Sequence, residues 1–115
     1  MIRPERLSHY LEHILEASIN IEGYVKNYSF QEFKDDVRTQ QAVIMNFIII
    51  GEAATKIMDK YPDFIQETPQ IPWLGMRGMR NRIAHSYFDI DLSVVWETIK
   101  KAIPELVEQL KPLLP

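Results

Sequence analysis

The stretch LSHYLEHILEASINIEGYVKNY, residues 7–28, decides the fold class. Leu7, Leu11, Ile14, Ile21, Val25 and Tyr28 recur at steps of four and three, with Ser18 in register among them. An α-helix turns once every ~3.6 residues, so such steps hold one stripe on one face over about six turns. A strand needs strict alternation, which is absent here. A stripe this long belongs to a bundle seam rather than to a lone surface helix. Pro4 suits the first turn, where a missing N–H costs nothing.

The reading extends outward from there. Ser29-Phe30-Gln31-Glu32 is a capping box and predicts a short helix over 30–34. Asp35 and Asp36 sit at the next start, where acids favour the positive end of the helix dipole. Val37 to Lys60 is the second long helix, with Val43, Phe47, Ile50, Ala54, Ile57 and Met58 as its main stripe. Ile48, Ile49 and Ile50 widen that stripe to nearly all faces, which predicts the bundle centre. Gly51 and Ala53-Ala54 are small and permit a neighbouring helix to come close.

Tyr61-Pro62 ends this helix, and Pro62 to Pro72 predicts an irregular region with one helical turn over 63–66. Pro72 opens a helix running from Trp73 to Ala84 or His85, and Ser86 to Asp91 is a turn. Asp91 is the expected N-cap of a last helix striped by Leu92, Val95, Trp96, Ile99, Ile103, Leu106 and Leu110. Pro104 predicts a kink or restart within it, and Pro112 and Pro115 stop it. The expected architecture is all-α: one domain over 1–115, an up-and-down bundle of four main helices plus one or two short ones.

Composition excludes several function classes. There are no cysteines among the 115 residues, which removes disulfides, Cys-ligated zinc, iron–sulfur clusters and thiol nucleophiles. A net charge of -3 excludes a generic polycation for nucleic acid. Met1-Ile-Arg-Pro-Glu-Arg has no signal-peptide core. The most apolar run, Ala42 to Ile50, is short of a membrane span and contains Asn46. A cytoplasmic protein with no membrane partner is expected.

The charge is unevenly placed. Thr68 to Phe88 holds no Asp or Glu, yet carries Arg77, Arg80, Arg82 and His85. Arginine makes forked, charge-assisted contacts to phosphate, so a phosphate-binding cleft is one reading, with Arg77, Arg82 and Asn81 as substrate-binding candidates. The other reading is that the arginines solvate a helix face or pair with acids elsewhere. Gly75 and Gly78 fall inside the same helix, where each costs about 1 kcal/mol against Ala. Close helix packing is the expected reason, and backbone access for a ligand is the alternative.

His9-Tyr10-Leu11-Glu12-His13 matches an inverted zinc-protease pattern, but a zinc hydrolase needs a third ligand and a substantial cleft, so no metal site is expected. No phosphate-binding glycine loop, dinucleotide fingerprint or G-x-S-x-G occurs. The remaining constellation is Arg80-Asn81-Arg82-Ile83-Ala84-His85-Ser86-Tyr87. A histidine can act as general acid or base, and an arginine can stabilise charge on a phosphorane-like transition state. RNA brings its own nucleophile, the 2′-OH, so no cofactor is required. Arg80 and His85 are about 140° apart on an ideal helix, whereas Asn81 and His85 share a face. A twofold dimer would build one cleft from two such helices. His85 and Tyr87 point the same way only if the chain is extended there.

Gly51-Glu52-Ala53-Ala54, Ile71-Pro72-Trp73, Gly78-Met79-Arg80-Asn81 through His85-Ser86-Tyr87, Asp91 and Val95-Trp96 together resemble HepT-like toxins, helical-bundle ribonucleases of the HEPN superfamily. The superfamily signature is an Arg, a polar residue and a His after a short spacer, matched by Arg80, Asn81 and His85. The x-Tyr that follows in HepT-like toxins is matched by Ser86-Tyr87. The resemblance implies a homodimer and metal-independent RNA cleavage, with Arg80 and His85 catalytic and Asn81 in support. It also implies a minimal nucleotidyltransferase antitoxin as partner, which silences the toxin by transferring AMP to Tyr87. Glu52 is open between a functional role and a structural one as buried partner of an arginine, the latter favoured. Two other classes stay open: a non-catalytic module that docks a nucleotidyltransferase or binds nucleotide or RNA, and a structural protein whose arginines form intersubunit salt bridges.

Overall fold

The computed structural model describes residues 5–115. Pro4 and the residues before it lie outside that range. Seven α-helices follow in order: α1 (Glu5–Tyr24), α2 (Phe30–Asp35), α3 (Val37–Lys60), α4 (Pro62–Glu67), α5 (Trp73–His85), α6 (Leu92–Lys100) and α7 (Ala102–Leu110). Short 3-10 turns cover Tyr87–Asp89 and Lys111–Leu113. The four main helices are α1, α3, α5 and the α6–α7 arm, an all-α bundle with α2 and α4 as the short elements.

The stripe of α1 is the seam. Leu7, Leu11, Ile14, Ile21 and Val25 are buried, and so is Ser18, whose hydroxyl donates to the Ile14 carbonyl at 2.8 Å. That bond lets a polar residue occupy a core position without an unmet donor. Helix α1 is one turn shorter than its stripe implies. The chain leaves it after Tyr24, and Asn27 takes a left-handed φ of 64°, which Asn tolerates better than most residues. Tyr28 still serves the fold, since its hydroxyl donates to Asp36 at 2.7 Å. Asp36 also accepts from the Thr39 hydroxyl and backbone N–H, at 2.7 Å and 3.0 Å, and so caps α3. These donors, Thr39 first, hold its carboxyl at about 2, so the cap stays charged well into acid.

Helix α3 is the central rod. It packs against α1 on one side and α5 on another, and α1 in turn packs against α7. By length and composition α3 could cross a membrane, but half of its apolar window is buried inside the protein, as expected for a core helix. Two amides join it to α1: Asn20 donates to Asn46 at 3.4 Å, and Asn46 donates to the Ala42 carbonyl at 2.8 Å. Helix α6 meets α2 through Trp96, whose ring lies 5.4 Å from that of Phe33 and 6.1 Å from that of Phe30.

The last helix breaks at Lys101 rather than at Pro104. A proline ring collides with the carbonyl four residues earlier, here that of Lys100, and its nitrogen offers no hydrogen. The break therefore falls upstream, and Pro104 is left in the first turn of α7. Asp91 caps α6 as expected, accepting from Ser93 N–H at 2.9 Å.

Gly75 and Gly78 differ from expectation. A Cβ at Gly78 would meet nothing within 4 Å, and one at Gly75 only Pro72 at 3.6 Å, so packing within the chain explains neither. Both line a cavity of about 420 Å³ between α5 and the α6–α7 arm, floored by Phe47 and Ile50. Gly78→Ala is expected to stabilise the dilute chain by about 1 kcal/mol in chemical denaturation. A loss of stability instead would show that another chain covers this face.

Candidate functional site

Helix α5 carries the candidate residues, and three buried side chains fix its pose: Trp73, Met76 and Ile83. Trp73 anchors the start. Its indole N–H donates to the Thr68 hydroxyl at 3.1 Å, and its ring meets Phe64 edge-on at 6.0 Å. With that stripe inward, Leu74, Asn81, Arg82, Ala84 and His85 face solvent.

Gly51 sets how closely α5 crosses α3. A Cβ there would overlap the Arg80 Cβ outright and lie 2.9 Å from both the Arg80 Cγ and the Met76 carbonyl oxygen. The missing side chain thus admits the root of Arg80 against the α3 backbone. The guanidinium then reaches two α3 residues. Nη1 donates to Glu52 Oε1 at 2.5 Å and Nη2 to Thr55 Oγ1 at 3.3 Å. Thr55 can accept because its own hydroxyl hydrogen goes to the Gly51 carbonyl at 2.8 Å. The Arg80 side chain is about a quarter exposed, and its Nε is buried with no hydrogen-bond partner among the described residues. A buried donor left unmet carries a desolvation cost.

Glu52 is the favoured arginine partner, but it is half exposed rather than buried. Thr55 was not legible as a site residue. The available signal is its spacing, three after Glu52 and four after Gly51, which puts all three on one face of α3.

The arginines do not gather at one point. Arg80 turns to α3, while Arg82 lines the groove on the α6–α7 side. Two residues apart on a helix means about 200° of rotation, which separates them. Asn81 and His85 are exposed along one face with Leu74 and Gly78. No hydrogen bond joins Arg80 to Asn81, His85 or Tyr87 among the described residues. His85 ends α5, and Ser86 caps it by donating its N–H to the Arg82 carbonyl at 2.9 Å. The chain is not extended beyond it but enters the 3-10 turn, which presents Tyr87 and Phe88 to solvent. Among the described residues no three His, Asp or Glu side chains are grouped to hold a metal ion.

Comparison with known proteins bears on this arrangement. A family model described as Ribonuclease HepT-like matches residues 9–113. A Thermococcus cleftensis protein named "Probable ribonuclease HepT" is 43% identical over 97 residues, covering 84% of this chain and 86% of its own. A candidate RNase of Caldanaerobacter subterraneus subsp. tengcongensis is 37% identical over 105 residues, covering 91% of each chain. A candidate RNase of Methanocaldococcus jannaschii is 32% identical over 105 residues, covering 91% of this chain and 84% of its own. No solved structure is matched.

Proposed function

The chain belongs to the Ribonuclease HepT-like family, and from that premise we propose that it is an endoribonuclease acting as the toxin of a toxin–antitoxin pair. The observation that supports this reading best is the held guanidinium. Glu52 and Thr55 each take one terminal nitrogen of Arg80, so its direction is set before substrate arrives. A preorganised cation near a developing charge stabilises a transition state without reorganising at the moment of reaction.

The chemistry is internal transesterification. The 2′-OH of the ribose attacks the adjacent phosphorus and forms a bond from O2′ to it. The bond to O5′ of the next nucleotide breaks. The 2′ proton goes to His85 or to water and the departing 5′ oxygen takes its proton from the other of the two, while Arg80 faces the charge on the non-bridging oxygens. The products are a 2′,3′-cyclic phosphate and a 5′-hydroxyl. Two copies related by a twofold axis would place both α5 helices on one cleft. The open face at Gly78 supports this reading, since a second helix can approach there. Arg77, Arg82 and Asn81 would then hold the RNA backbone. The resulting protein is a cytoplasmic homodimer that needs no metal or cofactor.

Regulation follows from Tyr87, which is 48% exposed on its turn. A nucleotidyltransferase antitoxin can reach such a phenol and transfer AMP to it. The adduct adds bulk and negative charge beside a site that must admit a phosphate. The purified protein is expected to cut single-stranded RNA in EDTA. Co-expression with its nucleotidyltransferase should add AMP at Tyr87, read by mass spectrometry, and abolish cutting.

One observation favours a second reading. Arg80 already has a carboxylate partner in its own chain, as a binding module without bond cleavage would allow. RNA that is bound yet stays intact over time at high protein concentration would decide for that module.

A further inference from the structure

Phe88 is 95% exposed, the most exposed of the large apolar side chains among the described residues. Its backbone is held in a turn. Its turn is tied by the Asp89 N–H to the Ser86 carbonyl at 2.9 Å, and it meets Tyr87 edge-on at 5.5 Å. Beside the pair lies an open groove of about 320 Å³ between the start of α3 and the start of α6, bounded by Val37, Ile44 and Leu92. No carboxylate lines it. Of the nearby acids, Asp36 and Asp91 are each spent on a helix cap, while Asp89, next to Phe88 in the chain, is exposed and lines a separate pocket.

Two glutamines also line this groove and differ in what they have left to give. Gln40 donates its amide to the carbonyls of Phe33 and Lys34, at 2.9 Å and 2.8 Å. Gln41 is exposed and has no hydrogen-bond partner among the described residues. A free primary amide offers a donor and an acceptor side by side, the pattern that matches a base edge. An exposed aromatic face next to it is the usual platform for an unpaired base. Phe88 lies three residues past His85, hence at most about 11 Å from it along the chain.

We propose that Phe88, Tyr87 and Gln41 form a subsite for one unpaired nucleobase of single-stranded RNA, stacked on the Phe88 ring with Gln41 reading its edge. The subsite flanks the linkage cut at His85, so the proposal rests on the ribonuclease reading. It accounts for a phenylalanine in water beside a polar reader, and it makes base-paired RNA a poor substrate.

The test compares the full-length protein with Phe88→Leu, Phe88→Trp and Gln41→Ala on single-stranded RNA, once the cut site is mapped. Phe88→Leu should raise KM on the order of tenfold, with kcat falling less, and Phe88→Trp should keep the original KM. On the same RNA with an abasic ribose beside the cut, the parent protein and Phe88→Leu should converge. Gln41→Ala should narrow the differences between bases at that position. Equal KM for parent and Phe88→Leu on intact RNA would overturn the proposal. So would loss of self-association or of antitoxin binding in Phe88→Leu with KM unchanged, which would assign the ring to a protein interface. If the parent protein cuts no RNA, the ribonuclease reading fails separately. RNA binding by fluorescence anisotropy then decides the subsite, with a roughly tenfold weaker Phe88→Leu expected and an equal one fatal.

Discussion

Cleavage of RNA by the His85→Ala chain is expected to fall at least about a hundredfold, the smallest loss usual for a general acid–base group. The stability of the fold should stay within about 0.5 kcal/mol, because the side chain is exposed and supports no packing. No other histidine is at hand within the chain, since His9 and His13 lie on α1 and α5 packs on α3. The measurement is a single-turnover cleavage rate in EDTA alongside a thermal melt. An unchanged rate with an unchanged melt would remove His85 from the chemistry. Arg80→Ala is a less clean probe, because it also strips Glu52 and Thr55 of their shared partner.

Gly51→Ala is expected to cost about 1–3 kcal/mol of stability and, with it, most of the cleavage activity. The added methyl would strike the Cβ at the root of Arg80 and the Met76 carbonyl, not the free end of a side chain. Neither can swing aside, so α5 must move off α3. That shift carries Arg80 away from Glu52 and Thr55, and a displacement of about 1 Å in a reacting group can cost on the order of a hundredfold. Denaturation and cleavage together check it. Full stability in Gly51→Ala would show that the crossing is looser than drawn. The contrast with Gly78→Ala is diagnostic, since the same change one helix away is expected to stabilise.

Much of this was legible in the chain. The α1 stripe, the capping box at Ser29, the start of α3 at Val37 and the Asp91 cap are local signals, set by residues a few positions apart. The break at Lys101 was legible only as a region, because the clash belongs to the proline but falls on the carbonyl before it. The glycines on α5 were legible as close packing or as backbone access, and packing within the chain accounts for neither, because what faces a helical glycine is set by residues far off in sequence. The Arg80–Glu52 pair spans 28 positions. No local periodicity marks such a partner, and only the crossing at Gly51 joins them. The divergence of Arg80 and Arg82 could have been read from helical rotation alone, yet a charge count over 68–88 conceals it.

The amide pair between Asn20 and Asn46 carries one more consequence. Were α3 to slide along α1 by a single turn, Asn46, 6% exposed, would part from the Asn20 amide and leave its carbonyl oxygen without that donor. The penalty for that mismatch keys the two rods to one alignment. Because Asn46 stands five residues before Gly51 on the same helix, the key also sets the height of the α5 crossing relative to α1. A polar contact on one side of the bundle thereby registers α1 against the crossing that seats Arg80.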